Sequence, residues 1–266
     1  MFKLINYTKT TFIRVIAYLL LTLFCTSPIR AEVHPINASG LNRNDECVIL
    51  LHGMARTHDS MNDLQSALVK GGYHTFNVDY PSTDKPIRIL ASQYIPPALA
   101  QAERKSCRKI HFVTHSLGGI VVRTYLKENQ PNNLGHVVML SPPNQGSVVA
   151  QKLKDEWYYQ WLNGPAGQEL AAAPNSIPTQ LGGVSYSVGI ITGNTHAFFD
   201  GWLLPFFEED NDGKVSISEA RLDGMTDFLV VEESHPFIMD SKLVHEEVLH
   251  YLQHGTFSER SKNSTP

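Results

Sequence analysis

The sequence predicts an α/β fold in which a mainly parallel central sheet is covered by helices on both faces. Three observations predict it. Short continuous apolar runs, such as CVILL at 47–51 and KIHFVT at 109–114, are what strands buried on both sides require. Segments with apolar residues at helical spacing separate these runs through most of the chain. A length of 266 residues, 42% hydrophobic and 18% charged, suits one globular core of this kind. Ligands are then expected outside the carboxyl ends of the strands.

In chain order, residues 47–51 end at His52 and Gly53 and make the first strand. Ser60 stands where it would cap a helix carrying Met61, Leu64, Ala67 and Leu68, and Gly71 and Gly72 stop that helix before a strand at 74–80. A helical stretch ends near Cys107, the strand at 109–114 follows, and residues 117–128 continue as a helix terminated by Pro131. Apolar runs at 136–140, 186–191 and 228–231 supply further strands, and 241–253 is a closing amphipathic helix ended by Gly255. The stretch between Ser147 and Ser185 is irregular, with Trp157, Tyr158, Tyr159 and Trp161 leading into a Pro- and Ala-rich passage. It reads as a cap- or lid-like insertion over the active face, spanning about 147–207 when the following aromatic-rich segment is included.

The amino end carries different information. Lys3, Lys9 and Arg14 precede an apolar run at 15–25, then Ser27, Pro28 and a cleavage point after Ala31. This pattern is that of a secretory signal peptide over 1–31, leaving a domain of 32–266 that is periplasmic or extracellular. The run is about half of the ~20 apolar residues a spanning helix needs, so no stable span is expected in the mature form; tethering by an uncleaved signal is the alternative. Cys25 falls in the discarded segment, and Cys47 and Cys107 remain, each at or just before the start of a strand. In an exported chain they either bridge or stay as two free thiols packed as small apolar groups. A net charge of −4 provides no basic field for nucleic acid.

The chemistry centres on FVTHSLGG at 112–119, where a strand runs into a sharp turn with Ser116 at its tip and a helix beginning at once. Gly118 and Gly119 provide the small residues such a turn needs, while Thr114 stands where the G-x-S-x-G pattern has glycine. At a helix amino end the backbone NH of Leu117 points to where an oxyanion would form. His115, beside the serine, is read as a packing residue, and His52 as one that orders the loop after the first strand.

The segments CVILLHG, FVTHSLGG and VVMLSPPNQGS resemble the bacterial lipase and esterase branch of the α/β-hydrolase superfamily, over nearly all of the mature chain. The resemblance implies the α/β-hydrolase fold and a triad in the order Ser, acid, His. It makes Ser116 the nucleophile, maps the acid onto Asp212 in NDGKV, with Asp210 as closest rival, and the base onto His235 in EESHPF. It gives the second oxyanion NH to Met54, after the His-Gly pair. The implied activity is cofactor-free hydrolysis of a carboxylic ester, a lipid or short acyl ester, through an acyl-enzyme. Thioester or amide cleavage and acyl transfer use the same triad and stay open.

A reading from another class also stays open. Asp210, Asp212, Gly213, Val215, Ser216 and Glu219 match the spacing of a calcium-binding EF-hand loop, although Glu208 stands where the first aspartate is expected. On that reading the chain is a non-catalytic exported binding protein. The aromatics Trp157, Tyr158, Trp161, Phe198, Phe199, Trp202, Phe206 and Phe207 are either the wall of an acyl pocket or lid, or ordinary core.

Overall fold

The computed structural model describes residues 31–37 and 45–262. The leader assigned to 1–31 lies outside the described residues except for Ala31. Among the described residues, seven strands form one sheet in the order β1-β3-β2-β4-β5-β6-β7. These are β1 (Glu32–Ile36), β2 (Glu46–Leu51), β3 (His74–Asp79), β4 (Lys109–His115), β5 (Leu134–Leu140), β6 (Val188–Gly193) and β7 (Asp227–Val231). Every neighbouring pair is parallel except β1 with β3.

The apolar runs follow from burial on two sides. Cys47, Ile49 and Leu51 join one hydrophobic cluster together with Phe112 and Met139, whereas Val48 and Leu50 join a second one with Val113 and Leu140. Successive side chains of a strand point to opposite faces, so a sheet covered on both faces needs apolar residues at every position. The covering helices include α1 (Asn62–Lys70), α2 (Ile87–Arg104), α3 (Leu117–Leu126) and, closing the chain's last βα unit, a helix at Lys242–His254. That last helix ends at Gly255, whose φ of +76° is the left-handed cap that glycine adopts without strain.

Two features differ from the sequence reading. Strand β1, EVHPI, is not visible as a strand in the sequence, because Pro35 breaks the β pattern; on the sheet edge a residue lacking an NH is tolerated. Ser60 does not cap α1. It lies in a 3-10 turn at His58–Met61 and its hydroxyl donates to the carbonyl of Thr57 at 2.8 Å, so Met61 occupies the cap position.

Between β5 and β6 come three helices, Val148–Leu153, Trp157–Gln168 and Ile177–Leu181, and a 3-10 segment at Phe198–Phe206 follows β6. The interval 147–207 therefore contains a core strand, and the covering structure comes in two pieces on either side of it. Arg123, buried in α3, donates to the backbone carbonyls of Asn144, Pro178 and Gly182 and to the Asn144 side chain, which ties the segment after β5 and the end of the helix at Ile177–Leu181 to α3. Burial pushes its pKa down to about 10. Cys47 and Cys107 are bridged, with Cα atoms 5.8 Å apart. Among the described residues, no helix is long and apolar enough to cross a membrane.

The topology selects one crevice. From β2 the chain passes to β3 on one side and then crosses to β4, from which it goes on to β5 on the other, so the connections leaving the carboxyl ends of the adjacent strands β2 and β4 run in opposite directions. The loops at 52–56 and at 115–117 leave the sheet at that place.

Candidate active site

At the end of β4 the backbone of Ser116 takes φ +51° and ψ −121°, a conformation that costs a non-glycine residue on the order of 1–3 kcal/mol. The surroundings hold it there. Its NH donates to the carbonyl of Leu140 at 2.8 Å, and α3 begins at the next residue. Gly118 is required by close approach: a Cβ there would lie 2.6 Å from the carbonyl oxygen of Leu51 and 2.8 Å from that of His52. Thr114 fits in place of the expected glycine, fully buried, its hydroxyl 3.3 Å from where a Cβ on Gly119 would stand.

Three loops from the carboxyl ends of β4, β6 and β7 meet at the serine. His235 Nε2 is 3.0 Å from Ser116 Oγ, and His235 Nδ1 is 2.7 Å from Asp212 Oδ2. These partners fit the tautomer with the proton on Nδ1, donated to the carboxylate, so that Nε2 accepts from the serine hydroxyl. Asp212 is fully buried and held from both ends. Its Oδ1 accepts the NH groups of Lys214 (3.0 Å) and Val215 (2.8 Å), and its carbonyl accepts the NH of His235 at 2.9 Å. Asp210, the rival acid, makes no comparable contact; its carbonyl accepts the NH of Ile217.

His115 lies behind the site. Its Nε2 donates to the carbonyl of His235 at 3.0 Å, its ring centroid is 4.8 Å from that of His235, and burial holds its pKa well below the ordinary histidine value. A neutral ring donating to a backbone carbonyl braces the His235 loop.

Leu117 supplies the first NH of α3, which has no helical carbonyl to bond. Met54 sits across the crevice on the loop after β2, and both Met54 and Ser116 line one cavity. That loop is ordered by His52, whose Nδ1 donates to the Gly53 carbonyl at 2.8 Å, while the Tyr80 hydroxyl donates to the His52 carbonyl at 2.5 Å. The NH of Ala55 bonds Ser82 Oγ at 3.0 Å, which fixes the loop's far side.

The cavity that opens on Ser116 has a volume of about 330 Å³. Val149, Leu153, Tyr159, Leu170, Leu203 and Val215 give it an apolar wall, and Arg56 and Lys214 are its cationic side chains. The aromatics divide three ways. Tyr158 and Trp202 line the cavity, Trp202 while 59% exposed; Phe206 and Phe207 pack partly buried against the core; and Trp157, Trp161, Phe198 and Phe199 are 74%, 78%, 92% and 47% exposed. The sequence could not make this division, since all lie in short segments without a clear period.

The acid loop is organised around Asp212. Ser216 and Glu219 form a capping box at the start of a one-turn helix, Ile217–Ala220, and Glu219 also accepts the NH of Val148, tying the first covering helix to the acid loop. Glu209 accepts from Ser218. Among the described residues, no group of three or more His, Cys, Asp or Glu side chains converges as metal ligands do. The S-x-x-E spacing at 216–219 is a capping-box signal that the calcium reading passed over.

Three further residues escaped the sequence. Asp200, 3% exposed in the 3-10 segment, pairs with Lys214 Nζ at 2.6 Å and so fastens that segment to the acid loop. Arg56 lines the cavity from the loop after β2. The only local sign of Arg56 was a charged residue directly following LLHGMA; for the Asp200–Lys214 pair there was none.

A family model described as the alpha/beta hydrolase family matches residues 48–236. No curated protein matches the sequence. Among solved structures, the mature form of the lipase BlEst2 from Bacillus licheniformis is similar with a TM-score of 0.68 at 20% identity, covering 83% of this chain and 98% of that one. The phospholipase PlaB from Legionella pneumophila is similar with a TM-score of 0.60 at 17% identity, covering 82% of this chain and 62% of that one. A monoacylglycerol lipase from Paleococcus ferrophilus gives 0.55 at 14% identity, covering 85% and 100%. At these identities the likeness is one of fold.

Proposed function

The chain belongs to the alpha/beta hydrolase family, and on that premise we propose that it is a serine hydrolase cleaving carboxylic esters through an acyl-enzyme, with Ser116 as nucleophile, His235 as general base and Asp212 as the orienting acid. The observation that carries this reading is the continuous hydrogen-bonded line from Asp212 Oδ2 through both nitrogens of His235 to Ser116 Oγ.

In the forward step His235 Nε2 takes the hydroxyl proton as Oγ attacks the acyl carbon. Asp212 stabilises the imidazolium, and the NH groups of Leu117 and Met54 receive the oxyanion. His235 then returns the proton to the departing alcohol, and water repeats the sequence to release the acid. General-base assistance contributes about 10²- to 10⁴-fold and one oxyanion donor about 10²- to 10³-fold. The apolar wall beside Ser116 suits an acyl chain, so lipid or short acyl esters are the substrate class. Export completes the proposal: the leader-like amino end and the Cys47–Cys107 bridge both fit an oxidising compartment.

The experiment is labelling of the folded protein with a fluorophosphonate probe, followed by peptide mapping. Labelling of Ser116 that is lost in Ser116→Ala and in His235→Ala is the expected result. A folded protein that takes no label, and hydrolyses no p-nitrophenyl ester, overturns the proposal.

A further inference from the structure

Among the described residues, two cationic side chains and no carboxylate line the cavity at Ser116. Arg56 and Lys214 both line it, and no Asp or Glu does, although the chain as a whole has a net charge of −4. The two cations are not equivalent. Lys214 is neutralised by Asp200 at 2.6 Å. Arg56, half-buried, has one bond: its Nη2 donates to the carbonyl of Pro236 at 3.1 Å, and no carboxylate among the described residues lies within ion-pair distance of it. The other charged or titratable groups that feel it, His52, His115 and Asp240, sit farther off.

The position of Arg56 says which part of a substrate it meets. Pro236 directly follows His235, so the guanidinium is tied to the loop that carries the proton-transferring imidazole. In the reading above, His235 Nε2 delivers its proton to the departing alcohol, which therefore leaves on the His235 side of the serine. The apolar wall comes from other elements, the helices at 148–153 and 157–168 and the residues Leu203 and Val215. A guanidinium with free donors in a planar fork, beside an apolar wall, is suited to hold an anion by two parallel charge-assisted hydrogen bonds.

We propose that Arg56 selects esters whose alcohol part bears an anionic group, a phosphate or a carboxylate, and that the natural substrate is an acyl ester of such an alcohol. This rests on the hydrolase reading and narrows it. Hydrolysis is unchanged in its balance: the acyl C–O bond breaks, water supplies the hydroxyl, and the anionic alcohol departs with the proton from His235.

The test compares kcat/KM for three esters with one acyl chain, short enough to stay monomeric: hexanoylglycerol, hexanoylglycerol phosphate and hexanoyl glycerate. The expected result is a preference for one or both anionic esters of roughly 10- to 100-fold, the range of one hydrogen bond to a charged group. The preference falls to near unity in Arg56→Gln, is kept in part in Arg56→Lys, and shrinks as salt is raised. Because the readout is a ratio within each variant, a general loss of activity in Arg56→Gln does not imitate it. The phosphate and carboxylate arms identify which anion is preferred. Equal rates on all three esters, or a preference unchanged in Arg56→Gln, overturn the assignment while leaving the hydrolase reading intact. Absence of hydrolysis together with absence of fluorophosphonate labelling removes both.

Discussion

Asp212 Oδ2 lies 2.7 Å from His235 Nδ1, and the backbone of the same aspartate accepts the NH of the same histidine at 2.9 Å. The acid loop and the histidine loop are thus joined twice, once through side chains and once through the main chain. Replacing the carboxylate by an amide leaves the second joint in place, so Asp212→Asn should fold normally and fail at proton transfer. Its side chain no longer enforces the tautomer with the proton on Nδ1, and kcat on a p-nitrophenyl ester should fall by about 10⁴-fold with little change in KM. A loss below about tenfold would remove Asp212 from the role given to it.

Gly118 packs against the carbonyls of Leu51 and His52 with no room for a methyl group. Gly118→Ala must push α3 away from β2 or strain the turn, costing roughly 1–3 kcal/mol as overpacking usually does. The urea midpoint should fall accordingly. Gly201→Ala is the control, since a Cβ there meets nothing within 4 Å and should change stability by less than about 0.5 kcal/mol.

The bridge between Cys47 and Cys107 closes a loop of 60 residues and ties the amino ends of β2 and β4, the end of the sheet opposite to Ser116. Reduction, or the Cys47→Ala/Cys107→Ala pair, should lower stability by about 2–4 kcal/mol. Activity at moderate temperature should persist, because the loops at the carboxyl ends are not held by it. Thermal melts with and without reductant, read beside initial rates, test both statements.

His111 is fully buried in β4, where its Nδ1 accepts the NH of His136 at 2.9 Å. Burial, with His136 and Lys109 nearby, lowers its pKa to about 3. The folded pKa is below the unfolded one, so this residue's contribution to stability is complete above about pH 6.5. It is lost progressively as pH falls towards 3, at up to about 1.4 kcal/mol per pH unit. His52, His115 and His136 shift in the same direction, so urea midpoints should drop between pH 7.5 and 5.5. In His111→Asn, which keeps an oxygen acceptor but does not titrate, the drop should be shallower even if the overall level is lower. An unchanged slope would count against the buried neutral state of His111.

Much of this protein is legible in its sequence because the signals are local. Continuous apolar runs mark strands covered on both faces, and glycines after a serine at a strand end mark the sharp turn, since both follow from steric demands within a few residues. Ser116 stands out from the turn that carries it, whereas Asp212 and His235 are named only through the resemblance to the lipase and esterase branch. What local pattern does not contain is what distant segments do to one another. Strand β1 exists because β3 offers it an edge, despite Pro35. Ser60 turns to Thr57 because a 3-10 turn enters α1. Glu219, which could have been a cation ligand by spacing, caps a helix and holds Val148. Arg56 left without a carboxylate, and Lys214 matched by Asp200, are facts of three-dimensional charge pairing. The sequence by itself determined the order of the six parallel strands and of the helices between the first four of them, and the residue types at the turn. The tertiary structure alone decided which charges pair, which aromatics face outward and which side chains line the cavity at Ser116, because those depend on distances across the fold that no window of neighbouring residues records.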